Sequence, residues 1–147
     1  MSGRVDVSSW TMTQVGIVVK DVEQVVARLG ELGIGPFDAM KLPPDRQEWV
    51  RGEPMFADAK IMGARIGGTQ LELIQPIAAK SPRREFLDSK GEGIEHIMFS
   101  VADLNKDVKA LTSKGCTILL KAVMPGGRQI AYVDLNAGGI VLELVQK

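Results

Sequence analysis

The feature that most constrains this chain is that it nearly repeats itself. The stretch QVGIVVKDVEQVVARLGELG, from Gln14 to Gly33, aligns without gaps onto HIMFSVADLNKDVKALTSKG, from His96 to Gly115. Gln14 thereby falls on His96, Asp21 on Asp103 and Gly33 on Gly115. A second segment, TQLELIQ at 69–75, returns as IVLELVQ at 140–146 and places Glu72 on Glu143. Two copies of one pattern predict two like supersecondary units. Each is too small to bury much core alone, so the two must pack together.

The local signals inside each copy agree. TQVGIVVKD is a strand ending at a polar stop, and Asp21 caps a helix running to Leu32. Val22, Val25, Val26 and Leu29 form that helix's apolar stripe, and Gly33 ends it. GIGPF is then a turn. KLPPDRQEWVRGEP, with three prolines and many charges, reads as a long loop or irregular strand. AKIMGARIGGTQLELIQP reads as a hairpin turning at Gly67-Gly68. SPRREFLDSKG is a short helix with Ser81 as cap, Pro82 at its first position and Gly91 as stop. In the second copy EHIMFSVAD is a strand, and Asp103 caps a helix carrying Leu104, Val108 and Leu111 up to Gly115. QIAYVDLNAGGIVLELVQ closes the chain as a hairpin turning at 136–139.

Composition removes several classes of function. At 147 residues, 45% hydrophobic and with formal net charge zero, the chain has the profile of a soluble globular domain. A neutral balance without a basic cluster offers no footprint for nucleic acid. The only cysteine, Cys116, has no internal partner, which points to a reducing cytoplasm. No apolar run has membrane length. The opening MSGRVDVSS is polar and is expected to be loose.

Strand alternation directs the repeated side chains. Leu71 and Leu73 share one face, opposite Gln70, Glu72 and Ile74; Leu142 and Leu144 lie opposite Val141, Glu143 and Val145. Each Glu thus has an apolar neighbour on its own face. Taken singly, a strand Glu belongs on a wet face and a lone His is a hydrogen-bonded structural residue. Jointly, one imidazole, two carboxylates and an amide occupy two repeat-equivalent pairs. If the modules are related by a pseudo-twofold axis, the four can converge on one cleft. One nitrogen and three oxygens suit a divalent ion with open positions, such as Zn, Co, Ni or Mn, and do not suit a closed structural zinc site.

GEGIEHIMFSVADL, LELIQPIAAKSPRREFLDSKGEG and PGGRQIAYVDLNAGGIVLELVQ together resemble the vicinal oxygen chelate superfamily, and within it most nearly the methylmalonyl-CoA epimerases. The similarity runs from about Thr13 to the C-terminus. It implies an α+β fold of two tandem βαβββ modules forming a cleft-shaped, barrel-like mixed sheet with helices outside. The whole chain, 1–147, would be one such domain: module one about 11–76, a linker helix 81–90, module two about 94–147. By the resemblance Gln14, Glu72, His96 and Glu143 are the ligands of one divalent metal ion per chain. The substrate would be a small molecule of CoA-thioester type, and the protein a homodimer.

Three positions depart from the epimerase pattern. Gln14 stands where those enzymes usually carry His, and Glu95 where they carry the first His of a pair. Their second catalytic Glu aligns with Phe56, leaving Glu53 and Asp58 as near neighbours. Glyoxalase I enzymes of one type share the Gln, Glu, His, Glu set, but their glutathione-binding positions appear here as Val18, Pro76 and Glu92, which cannot replace an Arg clamp. The resemblance therefore implies an epimerase or isomerase working through an enolate. Glu143 would exchange the α-proton, with Glu53 as its partner or an exposed loop acid. Gly127 and Arg128 would meet substrate phosphate or carboxylate, or form a charged loop tip. A glyoxalase I-like lyase acting on another adduct and a non-catalytic small-molecule binder of the same fold are the alternatives. An iron oxygenase would need a second His, and the chain has one.

Overall fold

The computed structural model describes residues 3–147; Met1 and Ser2 of the polar opening lie outside it. Among the described residues are three helices, α1 (Val22–Glu31), α2 (Pro82–Lys90) and α3 (Leu104–Ser113). Ten strands accompany them: β1 (Thr11–Val18), β2 (Asp38–Met40), β3 (Gln47–Val50), β4 (Glu53–Pro54), β5 (Ala59–Ile66), β6 (Thr69–Pro76), β7 (Gly93–Val101), β8 (Thr117–Val123), β9 (Gln129–Asp134) and β10 (Val141–Gln146). The chain divides into two compact units. Among the described residues, unit A holds Gln14–Leu42 and Ala57–Glu95; unit B holds 3–13, Pro43–Phe56 and His96–Lys147. No helix of the described residues is long and apolar enough to cross a membrane.

Unit A orders its strands β2-β5-β6-β1. The β5–β6 hairpin turns at Gly67-Gly68, with Ile66 opposite Thr69, and β6 runs parallel to β1. Asp21 caps α1 by accepting from the backbone N–H groups of Glu23 and Gln24. The valine–leucine stripe of α1 packs with Val19, Val22 and Leu73, so α1 covers the Leu73 face of the sheet. A fully buried side chain such as Leu73 contributes about 1.5–3 kcal/mol. Lys60 Nζ reaches Glu23 Oε1 at 2.8 Å, and this hydrogen bond and charge hold the ammonium pKa above its usual value.

Unit B repeats the plan with β7-β10-β9-β8-β3-β4. Here β7 is parallel to β10, and the β9–β10 hairpin places Asp134 opposite Val141. Asp103 caps α3 by accepting from Lys106 N–H at 3.1 Å. Leu104 and Val108 of α3 pack on Val101, Ala131, Val133, Leu142 and Leu144. Trp10 joins this cluster and donates its indole N–H to Asp107 Oδ2 at 2.9 Å, which ties the N-terminal segment to α3. The expected loose opening is thus partly ordered, with Val7–Ser9 in a short 3-10 turn.

Three features go beyond the sequence expectations. Each strand run is open, so neither is a closed barrel. The proline-rich stretch forms the β3–β4 hairpin, which lies in unit B and pairs β3 with β8. Its turn residues Arg51 and Gly52 have φ of 49° and 83°, as a two-residue type I′ turn requires. Pro43 and Pro44 precede the hairpin, Pro54 ends its second strand, and β3's partner lies far along the chain, so local composition concealed it. Finally, α2 does not lie on the same side as α1. Phe86 and Leu87 pack on Val18, Ile61 and Ile74, at the far end of the face that carries Glu72.

Candidate functional site

In unit A the register sets Gln14 opposite Gln70 and Gly16 opposite Glu72, while β5 sets Gly63 opposite Glu72 from the other side. Glycines thus stand opposite Glu72 on both flanking strands, and the Gln14 amide reaches its carboxylate. Gln14 Nε2 donates to Glu72 Oε2 at 3.1 Å and to Gln70 Oε1 at 2.7 Å. Gln14 is 3% exposed and Glu72 7%, so the wet-face explanation of this Glu does not hold. A carboxylate removed from water needs charge-stabilising partners, and the Gln14 amide is one of them. An amide oxygen and a carboxylate are both oxygen donors with the chemistry to meet a cation.

Unit B presents the equivalent pair. Glu143 sits between Met98 on β7 and Tyr132 on β9, and His96 lies two residues before Met98 on that same face. The His96 and Tyr132 rings stand 5.0 Å apart at 59°, a tilted aromatic contact that fixes the imidazole plane. His96 is 1% exposed and Glu143 7%. Leu142 and Leu144 point the other way, into the α3 cluster, as the alternation predicts. Tyr132 was not singled out in the sequence, although a turn centred between Ala137 and Gly138 already pairs it with Glu143.

The remaining sequence candidates are placed differently. Glu53 is exposed at the end of the β3–β4 hairpin. Its register row runs through Val50, Leu120 and Tyr132 to Glu143, four strand steps, or roughly 19 Å along the sheet. The buried acid of that hairpin is Glu48, whose face is the one carrying Tyr132 and Glu143. Glu48 Oε1 accepts from Arg46 Nη2 at 3.1 Å, and Arg46 stacks 4.9 Å from the Phe56 ring. These residues line a groove of about 520 Å³ with Trp49, Pro54 and Met55. Gly127 and Arg128 occupy an exposed turn in which Gly127 N–H donates to Met124 O and Met124 N–H to Arg128 O. Gly127 has φ of 92°, a conformation that favours glycine there.

Among the described residues no three His, Cys, Asp or Glu side chains gather into a set that would hold a metal ion. The donors come as two pairs, Gln14 with Glu72 in unit A and His96 with Glu143 in unit B. Their chemistry, buried carboxylate and amide oxygens and one imidazole nitrogen, suits a divalent ion with vacant positions.

Known proteins agree with this architecture. YqjC of Bacillus subtilis, an uncharacterised protein, is 32% identical over 83 residues, covering 54% of this chain and 59% of YqjC, so the match spans little more than half of that relative. The mitochondrial methylmalonyl-CoA epimerase of Homo sapiens is 27% identical over 140 residues, 92% of this chain and 73% of the human protein. A methylmalonyl-CoA epimerase variant of Streptomyces coelicolor, solved with 2-nitronate-propionyl-CoA, superposes with a TM-score of 0.68 at 22% identity, covering 92% of this chain and 96% of that one. The last likeness is one of fold. With its residues 13–132 matching the family's sequence pattern, the chain belongs to the Glyoxalase/Bleomycin resistance protein/Dioxygenase superfamily.

Proposed function

We propose that this protein is a metal-dependent epimerase or isomerase that moves the α-proton of an acyl-CoA-type substrate, in the manner of a methylmalonyl-CoA epimerase. The observation that carries the reading is the burial of Gln14, Glu72, His96 and Glu143, repeat-equivalent in pairs, in a family with epimerase relatives. These four residues are the proposed ligands. A divalent ion bound there would supply Lewis-acid stabilisation of the negative charge that develops on the substrate oxygens as the proton leaves.

Glu143 is the proposed base. It is buried, and Tyr132 stands opposite it on the neighbouring strand; a carboxylate within reach of the α-carbon can take up its proton. Inversion at the α-carbon needs a second group on the opposite side of the substrate; Glu53 is the candidate from the aligned region and Glu48 the buried one. If neither acts, Glu143 alone supports a one-base isomerisation. Gly127 and Arg128 are proposed to hold a phosphate or carboxylate of the substrate, with the exposed guanidinium as a charge-assisted donor.

Elemental analysis of the purified protein should find about one divalent ion per chain, lost in His96→Ala. A metal-free wild type that takes up no added ion would sink the proposal. In deuterated water, the metal-loaded protein should wash the α-proton out of methylmalonyl-CoA. Retention of that proton with metal bound would move the assignment to another substrate.

A further inference from the structure

Gln70 has no part in the chemistry proposed above, yet the structure gives it a defined task. Its Oε1 accepts from Gln14 Nε2 at 2.7 Å, closer than the 3.1 Å of the contact from the same nitrogen to Glu72. The register places Gln70 directly across from Gln14 on the neighbouring parallel strand. An amide has two nearly isosteric ends, and only its surroundings decide which one faces a given direction. With both acceptors in place, a rotation of the Gln14 amide by half a turn would set its oxygen against two other oxygens.

The room for this arrangement comes from Gly63. A Cβ at that position would lie 2.5 Å from Met40 Sδ and 3.1 Å from Gln70 Nε2. Both atoms are ends of flexible side chains. An alanine there would push Gln70 and Met40 aside instead of breaking the sheet.

We propose that Gln70 is a positioning residue that fixes the Gln14 amide, nitrogen toward Glu72 and carbonyl oxygen toward the bound cation, and that Gly63 provides the space Gln70 needs to do so. The inference about the cation rests on the metal-binding reading; the inference about the amide does not. Outer-shell partners of this kind typically alter metal affinity by about 10–100-fold when removed.

The test uses the full chain as wild type, Gln70→Leu, Gln70→Glu and Gly63→Ala, each checked for fold by its thermal midpoint. In metal-free protein, the two side-chain amide protons of Gln14 should resonate apart from those of solvated glutamines and exchange slowly. Gln70→Leu should shift both toward solvated values, Gln70→Glu should retain them, and Gly63→Ala should fall between. Titration with Mn(II) and Co(II) should show about 10–100-fold weaker binding for Gln70→Leu and largely restored binding for Gln70→Glu. Unchanged Gln14 amide signals in a folded Gln70→Leu would overturn the proposal, as would altered signals with unchanged affinity. A wild type that binds neither ion would overturn the metal reading, and the amide resonances would still decide whether Gln70 orients Gln14.

Discussion

Glu72 and Glu143 show how one residue type acquires a role from its neighbours. Both lie in Leu-Glu-Leu segments, both are 7% exposed, and Leu73, Leu142 and Leu144 beside them point away into helix-packed clusters. Glu72 has a glycine on each side and an amide within hydrogen-bond reach, whereas Glu143 has Met98 and Tyr132. The proposed base should therefore be sensitive to substitution, and the exposed hairpin acid tests the second group. Glu143→Gln is expected to lower kcat for α-proton exchange by about 10²–10⁴-fold; a comparable fall in Glu53→Gln would assign it as the second group, and an unchanged rate would leave Glu48. Steady-state exchange rates at saturating substrate check both. At the same scale, Arg46→Met leaves a buried carboxylate that has lost its guanidinium. It should cost about 3–5 kcal/mol in denaturant unfolding, far more than an exposed ion pair would.

At the scale of elements, capping and patterning were legible because they are local. Asp21, Ser81 and Asp103 each accept from backbone N–H groups two or three residues on, and those bonds need no information from elsewhere in the chain. Asp103→Ala should lower stability by about 0.5–2 kcal/mol. Leu144→Ala opens the centre of the α3–sheet cluster and should cost about 2–5 kcal/mol; urea midpoints at constant slope measure both. The β3–β4 hairpin was not legible, although Arg51-Gly52 is a turn signal flanked by Trp49, Val50 and Glu53. Its pairing with β8 joins positions more than sixty residues apart. The position of α2 was hidden for a similar reason: its cap and stop could be read, but not which face its Phe86 and Leu87 would cover.

For the whole molecule, the reading predicts linkage between metal and stability. If a divalent ion binds the folded chain and not the unfolded one, ion at a hundred times Kd adds about 2.7 kcal/mol. The thermal midpoint should rise on loading and fall with a chelator, and Glu72→Ala should abolish the difference. A solution mass near twice 15.9 kDa by light scattering would agree with the homodimer that the family resemblance implies; a monomer would remove that part of the reading.

By itself the sequence determined the repeat, the caps, the two hairpins that turn on Gly67-Gly68 and on 136–139, and the pairing of Gln14 with His96 and Glu72 with Glu143. Each follows from periodicity or from a turn whose geometry one or two residues dictate. Only the tertiary structure decided that these four side chains are buried, that Gln70 and Tyr132 stand against them, and that Glu48, not Glu53, is the enclosed acid of its hairpin. Burial and cross-strand company depend on register between segments far apart in the chain. Local composition carries no energy term for that, whereas the packed sheet does.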